Sequence, residues 1–112
     1  MRPEFVAGFV TAEGTFVATP DGRRFAFTIG VAAADGLMCD RLVDFFGVGR
    51  TYRYRRRQEH HQDVAIYTVQ SKRELAAVIV PFMDRHLPPS NKRRQYEAWR
   101  TKLDSRMPLP QR

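Results

Sequence analysis

The sequence predicts an α+β domain, a four-stranded antiparallel sheet with helices on one face, in the order α-β-β-α-β-β-α-α. Three observations predict it. Segments 3–13 and 36–46 repeat apolar residues with a helical period, 24–32 alternates strictly, and Asp21-Gly22 sits where a tight hairpin would join two strands.

Residues 3–13, PEFVAGFVTAE, read as the first helix. Pro3 suits a first helical position, and Phe5, Val6, Phe9 and Val10 form one face. Gly14 ends it, and TFVAT at 15–19 reads as a strand. In 24–32, Phe25, Phe27, Ile29 and Val31 point one way, and Arg24, Ala26, Thr28 and Gly30 the other. Asp35 is placed to cap a helix over 36–46 with the stripe Leu37, Met38, Leu42, Phe45 and Phe46, stopped by Gly47 and Gly49. Strands follow at 50–57 and 63–69, joined by the polar turn QEHHQ. Ser71 and Glu74 form a capping box for a helix from Lys72 to about Met83. The last helix runs from Asn91 to Leu103, where Tyr96 and Trp99 pack inward. Residues 1–104 make one domain, and 105–112, with two prolines and no periodicity, read as a loose tail.

Composition narrows the function. The chain has 112 residues, 43% of them hydrophobic, enough for a packed core. Its single cysteine, Cys39, excludes an internal disulfide and a cysteine-based zinc site, and reads as a core residue. No apolar run reaches membrane-span length, and no signal-peptide core follows Met1, so an intracellular place in cytoplasm or nucleoid and no membrane partner are expected. Nineteen Lys and Arg against twelve Asp and Glu give +7, which favours a polyanionic partner. Residues 50–57, RTYRYRRR, concentrate five Arg around two Tyr, a pattern suited to nucleic acid. His60 and His61 lie in the polar turn and read as exposed residues rather than metal ligands, and with His86 and Asn91 they show no HNH spacing.

Residues 6–14, VAGFVTAEG, resemble the LAGLIDADG motif of a homing endonuclease family. FTIGVAAADGLMCDRLVDFFGVGR at 27–50 and PFMDRHLPPSNKRRQYEAW at 81–99 keep step with that family's later elements, so the resemblance covers about residues 4 to 103. It implies a single-motif, homodimeric enzyme that hydrolyses both strands of a nearly palindromic double-stranded DNA target. The motif helix would be the dimer seam, through Phe5, Gly8, Phe9 and Ala12, with Ala7 among the small residues that let two helices approach. Glu13 from each copy, with the Ala12 carbonyl, would hold Mg²⁺ as the catalytic metal. The sheet would meet DNA through Thr15, Val17, Thr19, Arg24, Thr28, Arg50, Tyr52, Arg53, Tyr54, Arg55, Arg56 and Arg57, with Lys92 matching a family lysine.

Three positions depart from the family pattern. Thr11 stands where the motif has its first acid, Ala33 where a polar Gln is frequent, and Ser90 where a lysine often approaches the site. A catalytically weak or inactive DNA-binding regulator, or an RNA-binding maturase, is therefore the alternative.

Overall fold

The computed structural model describes residues 1–54 and 63–109. Helix α1 (Pro3–Glu13) passes directly into β1 (Gly14–Ala18); β2 (Phe25–Ala32), a 3-10 turn (Ala33–Asp35) and α2 (Gly36–Phe46) follow. Next come β3 (Arg50–Tyr54) and β4 (Val64–Val69). A continuous helical run then comprises α3 (Lys72–Glu74), a π segment (Leu75–Ile79) and α4 (Val80–His86), before α5 (Asn91–Asp104). The sheet is antiparallel, in the order β1-β2-β4-β3. The α+β class and the element order match the sequence reading.

One face of the sheet carries the core. Phe25, Phe27 and Ile29 of β2 and Ala65, Tyr67 and Val69 of β4 are buried beneath the helices. The helices contribute Val6 and Val10, Leu42 and Phe46, Leu75, Ile79 and Met83, and Tyr96, Trp99 and Leu103. The opposite face follows from the register: Thr15 lies opposite Thr28, Thr28 opposite Thr68 and Thr68 opposite Arg50. Parallel to that row run Gly30, Ile66 and Tyr52, then Ala32, Val64 and Tyr54.

The helical stripes differ from the periodic reading in two places. In α1, Val6, Ala7 and Val10 are buried, whereas Phe5 is 52% exposed. Ala7 therefore faces its own core rather than a helix seam, because the sheet competes for the same side of the helix. In α2 the buried line is Cys39, Leu42 and Phe46, and Leu37 is 70% exposed. The helix enters directly from the 3-10 turn Ala33–Asp35. Asp35 occupies the N-cap position without a side-chain cap bond, whereas Ser71 does accept from the Glu74 amide.

The helical period gives no sign of the π segment. Pro81 lies inside this helical run and has no N–H to offer one turn back, and the widened turn immediately precedes it. Behind it, Asp84 receives two hydrogen bonds from the Arg100 guanidinium at 3.0 Å and one from the Tyr96 hydroxyl at 2.6 Å. This partly buried bracket ties α4 to α5. The Tyr96 phenol is pushed well above its ordinary pKa, first by burial and then by Asp84. Beyond α5, the Arg106 guanidinium donates to the Asp21 carbonyl and the Leu109 amide to Asp104.

Gly47 ends α2 at φ 72° and Gly49 opens β3 at φ 89°. The two glycines are not equivalent. A Cβ at Gly47 would meet nothing within 4 Å; one at Gly49 would meet the Thr68 carbonyl, Tyr67 and Val69 at 2.8 Å. Gly47→Ala is expected to cost about 1 kcal/mol, the backbone strain alone. Gly49→Ala adds a backbone clash and is expected to cost at least about 3 kcal/mol. Chemical denaturation of both variants measures the difference, and equal costs would contradict it.

Candidate active site and nucleic-acid interface

The motif residue Glu13 lies at the junction of α1 and β1. Glu13 is the last residue of α1, and Gly14 is both the helix cap and the first strand residue. A Cβ on Gly14 would lie 2.8 Å from both Val10 Cγ1 and the Val10 carbonyl. Only glycine lets the chain turn from helix to strand so abruptly, and the turn leaves Glu13 exposed. The last carbonyls of a helix lack partners within it, so Glu13 stands among oxygen acceptors. Lys92, in the first turn of α5, donates from Nζ to the Gly14 carbonyl and so brings a cation to the same junction.

Glu13 lines one end of a groove of about 860 Å³ together with Phe9, Asp35, Leu37, Met38 and Arg41. Gly30, Ala32, Val64 and Ile66 continue this groove onto the open face of the sheet. Asp35 and Arg41 are polar groups of the site that the sequence reading does not assign. Arg41 lies one helical turn beyond Leu37, but nothing in the α2 pattern marks which side of that helix faces the groove.

Among the described residues, no group of three or more His, Cys, Asp and Glu could hold a metal ion. At the α1–β1 junction the chain supplies the Glu13 carboxylate and helix-terminal carbonyls, with the Asp35 carboxylate elsewhere along the same groove, so the donor chemistry suits a hard cation only when a second copy or phosphate oxygens add ligands.

Of the residues expected at a helix seam, Phe5, Gly8 and Ala12 are exposed on the outer side of α1, whereas Phe9 is half-buried and packs against the core. A Cβ on Gly8 would meet nothing within 4 Å. Thr11, at the position of the absent motif acid, donates its hydroxyl to the Ala7 carbonyl at 2.8 Å and is thereby satisfied within its own helix.

The residues expected to meet DNA divide by position. Thr15, Val17, Thr28, Arg50, Tyr52 and Tyr54 share the open face. Arg24 is exposed just ahead of β2. The rings of Tyr52 and Tyr54 stack 6.3 Å apart, and the Arg50 guanidinium lies 6.0 Å from the centre of the Tyr52 ring. Thr19 lies past the end of β1, and its hydroxyl donates to Asp21 in the hairpin turn. That bond, with one from the Arg23 amide, holds the Asp21 carboxyl below its usual pKa. Arg53 has the opposite strand parity to Arg50 and pairs with Asp40 of α2 at 2.7 Å. The hydrogen bond from Arg53 lowers the Asp40 pKa, although both side chains are about half exposed and the pair adds little stability. Lys92 belongs to the Glu13 junction rather than to the sheet face. Arg55, Arg56 and Arg57, with His60 and His61, lie outside the described residues.

Ser90, another departure from the family pattern, caps α5 by accepting from the Arg93 amide at 3.0 Å. Ala33, the remaining one, starts the 3-10 turn, where its amide donates to the Asp63 carbonyl. Cys39 is buried, and that burial raises its thiol pKa. No helix among the described residues is long and apolar enough to cross a membrane.

The fold recurs in solved structures. The I-LtrWI LAGLIDADG homing endonuclease bound to target DNA is similar at TM-score 0.78 and 20% identity, over 95% of this chain and 37% of that one. I-SmaMI bound to an uncleaved DNA target with calcium ions matches at TM-score 0.75 and 23% identity, over 93% of this chain and 37% of that one. The LAGLIDADG meganuclease I-CpaMI bound to uncleaved DNA matches at TM-score 0.74 and 22% identity, with the same two coverages of 93% and 37%. The chain thus spans little more than a third of these proteins, and at such identities the likeness establishes the fold. No curated protein matches the sequence. The family model of the LAGLIDADG endonucleases, however, matches residues 6–103, and the chain belongs to that family.

Proposed function

We propose that the chain is a Mg²⁺-dependent DNA endonuclease that works as a homodimer and hydrolyses both strands of a nearly palindromic target. The observation that carries this reading is the exposed Glu13, fixed where a helix with an open outer face meets an open sheet face. Family membership and the DNA-bound state of the solved neighbours support the substrate class. In this reading Glu13 and the Ala12 carbonyl of each copy hold the divalent cation, which would supply an activated water and charge neutralisation at the scissile phosphate. Lys92 holds a fixed positive charge beside the same phosphate. Phe5, Gly8, Phe9 and Ala12 bring the two copies together, and the open sheet face orients the duplex.

Glu13→Gln keeps the side-chain shape and removes its charge. Cleavage of a DNA pool is expected to fall by more than about 100-fold, because metal-held charge stabilisation amounts to several kcal/mol. Folding and DNA affinity should persist. Cleavage at the parent rate would place the metal site elsewhere.

Gly8→Arg puts a charged side chain on the proposed seam without disturbing the core, since Gly8 faces open space. Sedimentation should show a dimer for the parent at micromolar concentration and a monomer for the variant, with DNA binding lost. A monomeric parent that still cuts both strands would refute the shared site.

Arg50 reads a base or holds a phosphate. If it reads a guanine, Arg50→Ala should cost about 1–3 kcal/mol and relax one target position. An even loss across sequences would assign it to the backbone.

The alternative is a binding domain without catalysis. Thr11, Ala33 and Ser90 favour it, because none of the three offers a free polar group beside Glu13 in the places where the family carries one. A parent protein that dimerises, binds DNA and never cuts would select it.

A further inference from the structure

The open sheet face has an unusual composition for a surface meant to read bases. Among the described residues, its strand positions carry one charged side chain, Arg50, and no Asn, Gln, Asp, Glu or Lys. Hydrogen-bonding groups line one full row, Thr15, Thr28, Thr68 and Arg50, and beyond it are limited to the hydroxyls of Tyr52 and Tyr54 on the β3 edge. In that row Thr68 is only 5% exposed and its hydroxyl has no partner within the protein. Toward Glu13 the face turns apolar: Ile66 and Val64 are flanked by Gly30 and Ala32 on one side and by Tyr52 and Tyr54 on the other. A Cβ on Gly30 would come no nearer than 3.9 Å to Ile66, so the missing side chain leaves a notch beside it. At the far end Val17, 40% exposed, and Ala26 form a second apolar spot, in a hollow that Arg23, Arg24 and Lys72 also line.

An apolar floor bordered by cations suits the major groove, where phosphates lie at the rim and base edges at the centre. Aliphatic side chains offer a base edge neither donor nor acceptor. The one group on a base edge that they favour is a methyl at pyrimidine C5. Resting on the DNA-binding reading above, we propose that Ile66 and Val64, with Val17 at the far end, recognise 5-methylpyrimidines. Where Ile66 and Val64 meet the groove, base pairs are then selected for a C5-methyl, while among the described residues hydrogen-bonded readout falls to the Arg50 row and to the Tyr52 and Tyr54 hydroxyls at the β3 edge.

Selection from a random pool tests this without a defined target sequence. The full chain, without divalent cation, selects duplexes from random DNA, and the retained duplex is remade with uracil for thymine or with 5-methylcytosine for cytosine. Loss of one contacted methyl should weaken binding about fourfold, the equivalent of about 0.8 kcal/mol for one buried carbon group. Weakening by uracil identifies thymine as the source of the methyl; strengthening by 5-methylcytosine identifies methylated cytosine. In Ile66→Ala the thymine and uracil duplexes should bind more nearly alike, while selectivity at the Arg50 position remains. A specific site bound equally in all three chemistries overturns this inference and leaves the endonuclease reading standing. Failure to retain any duplex at low salt overturns both.

Discussion

The junction of α1 and β1 contains no connecting residue, and much of the molecule depends on that. Helix and strand meet at Gly14, where any side chain would collide with Val10. Val6, Ala7 and Val10 press the helix onto the core face of the sheet, so its remaining side must face outward. The position of Glu13 is therefore set by backbone geometry and packing, not by a hydrogen bond of its own carboxylate. Lys92 fastens the first turn of α5 to the same place. A displacement of α1 would move the acid, the open helix face and the start of β1 together.

The helical layer behind the sheet is held by polar brackets as well as by apolar burial. Asp84 joins α4 to α5 through Arg100 and Tyr96, and the Trp99 indole donates to the Val17 carbonyl of β1 at 2.9 Å. Arg93 adds bonds to the Met83 carbonyl, which also accepts from the Leu87 amide, and to the Leu87 carbonyl just past the end of α4. With this layer fixed on one side, the other side of the sheet is free to carry side chains chosen for a partner.

Local pattern makes the strands legible, because a period of two separates the faces whatever the neighbouring elements are. It assigns Phe25, Phe27 and Ile29 to the core and Thr28 and Gly30 to the opposite face, as found. The rotation of α1 and α2 is less legible. Phe5 and Leu37 share stripes with buried residues but point outward, since the apolar surface of each helix is wider than the sheet can cover. The site follows the same division. Motif resemblance singles out Glu13 and Lys92, whereas Asp35 and Arg41 reach the groove through the tertiary placement of α2. Composition groups Arg53 with Arg50, and strand parity separates them. The π segment becomes legible only when the consequence of Pro81 is followed one turn back along its helix.

An antiparallel sheet with one uncovered and partly apolar face runs a risk of its own, because its outer strands are templates to which another strand can add. Among the described residues both outer strands comprise five residues. One supports α5 along its length, through the indole of Trp99 and the ammonium of Lys92. The other carries guanidinium groups on both of its faces, Arg50 on one and Arg53 on the other. Short length and charge are what native sheets use to discourage edge-to-edge growth. The Arg50–Arg53 strand thus places charge on an edge beside an exposed apolar surface, the kind of edge that native sheets use to discourage pairing with another strand.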